Sequence, residues 1–410
     1  MKDELKIAVA QINPTVGDIT GNSDLVRSAH KAAAAAGADL VVFGELVLSG
    51  YPPEDLVLKG AFQDAVAQAV RGLAAETADG RPGLLLTAPW RDKGILYNAA
   101  FLLDGGEVAA IRYKHNLPNY GVFDEKRVFA SGSMPGPINF RGVRLGVPIC
   151  EDIWTPDVCE CLAETGAEIF VVPNSSPFED GKFDVRLNHA VARVTENELP
   201  LIYVNQVGGQ DELVFDGGSF VLNSDCELAM QMPTFQDSLV VSEWRRQDDR
   251  WVCGKGPRVA PHEGLGAIYR TITLGLRDYV NKNRFPGVVL GLSGGIDSAL
   301  SAAVAVDALG PDRVWCVMLP SKYSSDHSLK DARDCAEFLQ CRMDKVPIEP
   351  AVNAFDQMLE HLFEGREPDV TEENVQSRAR GMALMAISNK FGHMVLTTGN
   401  KSEMSVGYAT

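Results

Sequence analysis

No apolar stretch of this sequence reaches the about 18 residues that cross a bilayer, so a membrane-spanning helix is not expected. A positive balance is missing too: Lys and Arg number 38 against 55 Asp and Glu, for a net charge of −17. Nucleic-acid phosphates demand a basic face, so that class of partner is excluded. Small anionic substrates are not, because they need only a local basic pocket. The eight cysteines never fall as C-x-x-C, which argues against structural zinc and for reduced thiols in a cytoplasmic protein. Nor does the start read as a signal peptide, since it is charged and enters a strand pattern at once. The Lys-Asp-Glu-Leu string at 2–5 is an address only at a C-terminus. Glycines are plentiful, yet none fall as G-x-G-x-x-G or run into Gly-Lys-Ser/Thr, so neither the dinucleotide fingerprint nor a Walker A loop is present.

What is there is an ordinary globular composition, 45% hydrophobic and 23% charged, on a chain long enough for two cores. Apolar runs of strand length at 7–11, 40–43, 84–87, 145–149, 169–172 and 202–204 alternate with helical stretches such as 24–36 and 61–75. More polar strands at 99–103, 108–113, 219–222 and 239–243 read as antiparallel pairs, one closed by Asp104-Gly105-Gly106. This mixture predicts an α/β layered sandwich over residues 1–245. Residues 246–263, rich in charge, Gly and Pro, read as a linker. From 264 to 410 strand–helix alternation resumes, with strands expected at 288–292, 314–319, 345–348 and 394–397 and helices long enough for parallel crossovers. No internal repeat or low-complexity segment stands out.

Three reactive residues follow buried strands in the first half: Glu45, Lys114 and Cys150. Residues just past the carboxyl ends of neighbouring strands are expected to converge on one crevice. A cysteine is a nucleophile only as thiolate and needs a base to take its proton. A glutamate supplies that base, and a lysine stabilises the oxyanion of a tetrahedral intermediate. With their flanking text, over about residues 5–244, these residues resemble the nitrilase superfamily. That resemblance implies an αββα sandwich with Glu45 as base, Lys114 as oxyanion stabiliser, Cys150 as nucleophile and Glu125 as an additional acid near the lysine.

The second half opens on a buried strand followed by Gly291, Leu292, Ser293, Gly294, Gly295, Ile296, Asp297 and Ser298. The small residues let backbone N–H groups approach an anion, and the helix that follows points its positive end at the same place. Asp297 beside a polyphosphate implies a divalent cation between them. Ser-Gly-Gly-Ile-Asp-Ser resembles the pyrophosphate-binding loop of the N-type ATP pyrophosphatases, which implies a Rossmann-like parallel sheet. Further along, Thr398 follows a strand and can donate to a phosphate or ribose. Glu403 reads either as a Mg²⁺ ligand paired with Asp297 or as an N-capping acid. Asn374 and Arg378 share one face of a helix whose apolar side is expected to be Val375, Ala379, Met382, Met385 and Ala386. The polar segment 323–329 reads as a lid over ATP or as an ordinary loop.

An amidase of nitrilase type ahead of such a loop is similar to one family, the glutamine-dependent NAD⁺ synthetases. The resemblance implies that Cys150 releases ammonia from glutamine, held by Tyr120, Ser176 and Lys182. It also implies that ATP, with Mg²⁺ at Asp297 and Glu403, adenylates deamido-NAD bound by Asn374, Arg378 and Glu403. Ammonia delivered through the interior then gives NAD⁺ and AMP, in a homo-oligomer. Where the sequence stops, at Thr410, the resemblance leads to an expectation of further helices carrying more basic contacts. Two other readings stay open: a two-domain amidotransferase acting on another carboxylate acceptor, and a nucleotide-sensing binding protein.

Overall fold

The computed structural model describes residues 3–322 and 324–406. The chain divides into two compact units after Thr271. In the first, the strands in chain order are β1 (Glu4–Gln11), β2 (Leu40–Phe43), β3 (Gly83–Asp92), β4 (Ile95–Asp104), β5 (Glu107–Tyr113), β6 (Ile138–Phe140), β7 (Val143–Gly146) and β8 (Ile169–Asn174). They continue with β9 (Leu201–Asn205), β10 (Val207–Gln210), β11 (Leu213–Asp216), β12 (Phe220–Leu222), β13 (Leu228–Gln231), β14 (Ser238–Gln247) and β15 (Arg250–Cys253). The helices are α1 (Ile19–Ala35), α2 (Gly60–Ala75), α3 (Glu125–Val128), α4 (Asp157–Glu164) and α5 (Lys182–Asn197). A seven-stranded sheet of order β15-β14-β1-β2-β3-β4-β5 faces a six-stranded sheet of order β13-β12-β9-β8-β7-β6.

Strand alternation sorts the side chains into layers. Ile7, Val9, Leu40, Val42, Leu85, Ala100 and Leu102 meet Val143, Leu145, Ile169, Val171, Ile202 and Val204 between the two sheets. The opposite parity, Ala8, Val41, Phe43, Leu84 and Phe101, packs against Val26, Ala33, Val66 and Val70 of α1 and α2. Val172, Tyr203 and Phe220 pack against Val158, Leu162, Ala190 and Val194 of α4 and α5. The result is an αββα sandwich.

The segment expected as a linker behaves differently. Its residues Arg250–Cys253 form β15 and pair with β14, and Asp248 and Asp249 both take positive φ, 46° and 62°, the geometry of a tight hairpin turn. Trp251 and Cys253 are buried while Arg250 stays outside, so the charges that suggested a linker are the solvent face of an edge hairpin.

In the second unit, reached through α6 (Gly264–Lys282), the elements are β16 (Val288–Gly291), α7 (Ile296–Leu309), β17 (Val314–Met318), α8 (Asp326–Leu339), β18 (Arg342–Lys345), α9 (Glu349–Phe363), α10 (Val370–Phe391), β19 (Met394–Val395) and α11 (Lys401–Ser405). The sheet runs β18-β17-β16-β19 and is parallel throughout. Its two faces are covered by Ala302, Ala305, Ala332 and Ala336 on one side and by Ile348 and Ala379 on the other. The strand expected at 345–348 lies earlier, because register with β17 pairs Trp315 with Arg342 and Met318 with Lys345. On α10 the packed side is Ala379, Ala383, Leu384 and Ile387. Met382 and Met385 are 71% and 48% exposed, so the expected apolar face is off by a fraction of a turn. Among the described residues no helix is long and apolar enough to cross a membrane.

Candidate active sites

Glu45 and Lys114 extend from the seven-stranded sheet, just after β2 and β5, and Cys150 follows β7 of the six-stranded sheet. The expectation of neighbouring strands therefore needs correcting: β3 and β4 separate β2 from β5, and the cysteine arrives from the facing sheet. β7 also ends at Gly146, earlier than expected, and the chain bends through 147–149 into a 3₁₀ turn at Cys150–Ile153. Cys150 has φ of +45°. A non-glycine residue in this left-handed region stores strain and turns its side chain out of the strand direction.

Lys114 is fully buried between two carboxylates, its Nζ 2.7 Å from Glu45 Oε1 and 2.8 Å from Glu125 Oε1. Each carboxylate oxygen also receives a neutral donor: Asn98 Nδ2 reaches Glu45 Oε1 at 2.8 Å, and the Tyr51 hydroxyl reaches Glu125 Oε1 at 2.9 Å. Burial by itself would drive the Lys114 ammonium down, but Glu125 and Glu45 together hold it well above the usual lysine value. Burial holds the Glu125 carboxyl above the usual glutamate range. Burial, with Glu45 as the next contributor, also pushes the Cys150 thiol well above the ordinary cysteine value, against the opposing pull of Lys114. The resting cysteine is a thiol, and a base must take its proton as it attacks.

The carboxyl of Asp152, two residues on, accepts Ile149 N–H at 2.9 Å, Asn116 N–H at 2.7 Å and His115 N–H at 3.2 Å. It thereby ties the turn carrying Cys150 to the chain after Lys114. The mouth of the site is polar. The Tyr120 hydroxyl donates to Glu151 at 3.0 Å, and Lys182 lies 5.1 Å from the Trp154 ring. Ser176 is buried, its Oγ accepting Arg186 Nε at 2.9 Å, while Arg186 is anchored on Asp216 at 2.8 Å. Sequence reading missed Asn98, Tyr51, Glu151 and Asp152. Only Glu151, adjacent to the cysteine, carried a signal that could have singled it out.

In the second unit Ser293 Oγ accepts Gly295 N–H at 3.1 Å and sits 3.0 Å from Ser298 Oγ, so the glycine turn is braced from within. Gly294 has φ of +86°, and a Cβ there would come within 2.3 Å of the Ser328 carbonyl. Gly291 closes β16, Leu292 is buried in the sheet core, and Ile296 and Asp297 open α7 with Ile296 78% exposed. Asn400 joins the two expected metal ligands. Its Nδ2 lies 3.3 Å from Asp297 Oδ2, and its own N–H donates to Glu403 Oε2 at 3.0 Å in a capping box that starts α11. Two carboxylates beside a phosphate-type loop are too few for a cage. They do suit Mg²⁺, which takes one or two carboxylates plus substrate phosphates. Among the described residues no group of three or more His, Cys, Asp or Glu could hold a metal alone. Thr398 precedes α11 and is half-buried, as is Asn374 on α10, where Arg378 is exposed. Tyr323, which opens the expected lid segment, lies outside the described residues, and Ser325 caps α8. Residues 407–410 lie outside them too.

A nitrilase-like sandwich with a buried Glu–Lys–Glu cluster beside a strained cysteine, followed by a parallel sheet with a braced glycine loop, defines a carbon–nitrogen hydrolase joined to an ATP-using synthase. Residues 6–249 match the carbon-nitrogen hydrolase family, and residues 268–410 match NAD synthase. The chain belongs to the glutamine-dependent NAD(+) synthetase family. It is 51% identical over 411 aligned residues to the glutamine-dependent NAD(+) synthetase of Rhodobacter capsulatus, covering 100% of this chain and 74% of that protein. The solved structure of the Acinetobacter baumannii glutamine-dependent NAD+ synthetase in complex with ADP is similar with a TM-score of 0.94 at 41% identity, over 99% of this chain and 77% of that one. An amidase from Nesterenkonia sp. matches 61% of this chain and 92% of its own, with a TM-score of 0.54 at 28% identity.

Proposed function

We propose that this chain releases ammonia from glutamine at Cys150 and uses it to amidate deamido-NAD to NAD⁺, converting ATP to AMP and pyrophosphate. The observation that carries the first half is the Lys114 ammonium locked between Glu45 and Glu125, with Cys150 held in a left-handed backbone conformation after β7. Glu45 takes the thiol proton as Sγ attacks the side-chain amide carbon of glutamine. The Lys114 ammonium offsets the negative charge that develops on the carbonyl oxygen. Return of the proton to the amide nitrogen lets ammonia leave, and water activated by Glu45 cleaves the glutamyl thioester. At the mouth, Glu151 and Tyr120 suit the α-ammonium of glutamine and Lys182 its α-carboxylate, with Ser176 held in place by Arg186.

In the second unit the loop from Gly291 to Ser298 offers backbone N–H groups and a helix start to the phosphates of ATP, with Thr398 as a further donor. Asp297 and Glu403 would hold Mg²⁺, whose charge offsets that of the departing pyrophosphate. Asn374, Arg378 and Glu403 are assigned to deamido-NAD. Adenylation of the nicotinate carboxylate turns a poor leaving oxygen into AMP, which ammonia displaces. The test is glutamate release by purified Glu45→Gln and Cys150→Ala proteins, each expected to lose at least about a hundredfold. Wild-type rates in either variant would remove the assignment.

A further inference from the structure

The face of β4 that looks between the sheets carries one buried amide. Ala100 and Leu102 belong to the apolar layer there, and strand alternation turns Asn98 the same way. Asn98 is fully buried. A buried amide costs stability unless bonded, so an apolar residue would serve packing better. Its bonds are specific to the site. The backbone carbonyl accepts Lys114 N–H at 2.8 Å, while Nδ2 donates to Glu45 Oε1 at 2.8 Å across 53 positions of sequence. Glu45 Oε1 also accepts Lys114 Nζ at 2.7 Å. A carboxylate oxygen has two in-plane lone pairs, and here Asn98 and Lys114 occupy both on Oε1. Glu45 Oε2 is buried with no partner.

We propose that Asn98 is a positioning residue for proton transfer: by filling Oε1 together with Lys114, it leaves Oε2 as the one Glu45 oxygen able to take the Cys150 proton. This rests on the reading of Glu45 as the base. Without the amide, one Oε1 lone pair opens and the carboxylate loses a fixed orientation. Asn98 makes no substrate contact in this scheme, so the loss falls on turnover.

The test uses the purified full chain with Asn98→Leu, Asn98→Ala and Asn98→Ser, read as kcat and KM for glutamate release. The rate of Cys150 alkylation by iodoacetamide is measured alongside, as a substrate-free readout. Leu and Ala cannot donate, so kcat is expected to fall about tenfold or more with KM within about threefold. Alkylation should slow in the same two proteins. Ser keeps a donor and should retain more kcat than Ala, a comparison that decides the matter if the Leu protein does not fold. Unchanged kcat and alkylation rates, a loss confined to KM, or equal losses in Ser and Ala would overturn the proposal. Glu45→Gln and Cys150→Ala are run beside them. Activity surviving in those proteins removes the base assignment itself, whereas its loss there with wild-type Asn98 variants removes only the positioning role.

Discussion

Cys150 has to be a thiol at rest and a thiolate in attack, and its neighbours divide that task. Burial and Glu45 keep the proton on sulfur; in the proposed reaction the same Glu45 removes it. Asp152 keeps the geometry, accepting two N–H groups from 115–116 and a third from Ile149 within the cysteine turn. Burial raises its carboxyl to about 6, opposed by those N–H donors. Because the folded protein binds this proton more tightly than the unfolded chain, its contribution to stability is fully present below the ordinary aspartate value. That contribution is lost as pH rises through about 6. Wild type should therefore gain on Asp152→Asn, by on the order of 3 kcal/mol, as pH falls through that window, measured by denaturant unfolding. A difference independent of pH would contradict the assignment. The residues legible in the sequence were those expected to follow apolar strand runs, Glu45, Lys114 and Cys150. Asn98 and Tyr51 were not, since nothing in their local spacing reveals partners that only the sheet register brings near.

At the scale of elements, continuous Leu, Val and Phe marked where the buried strands lie, and β2 spans the expected 40–43, but β1 starts three residues earlier, β3 runs on to Asp92 and β7 ends at Gly146. Edge elements were harder to read. β15 hides behind a charged turn, and β18 carries Arg, Asp and Lys at positions that only pairing with β17 makes strand-like. The glycine turn before α7 is a different case, because its conformation excludes other residues. Gly294→Ala places a Cβ 2.3 Å from the Ser328 carbonyl at a φ of +86°. Backbone strain of about 1–3 kcal/mol should cut AMP formation about ten- to a hundredfold while glutamate release is unchanged. An AMP rate equal to wild type would mean that this turn does not bind phosphate.

The molecule as a whole joins two units with separate cores, and each candidate site is built from elements of one unit. Glu45, Lys114 and Cys150 belong to the first; Asp297, Thr398 and Glu403 belong to the second. The central claim is that the first site supplies nitrogen and the second performs amidation. It is tested most directly by measuring NAD⁺ formation from deamido-NAD, ATP and Mg²⁺ in Cys150→Ala, once with glutamine and once with ammonium salt. Synthesis should vanish with glutamine and persist with ammonia near the wild-type rate. Retained synthesis with glutamine, or equal loss with both nitrogen sources, would contradict the account.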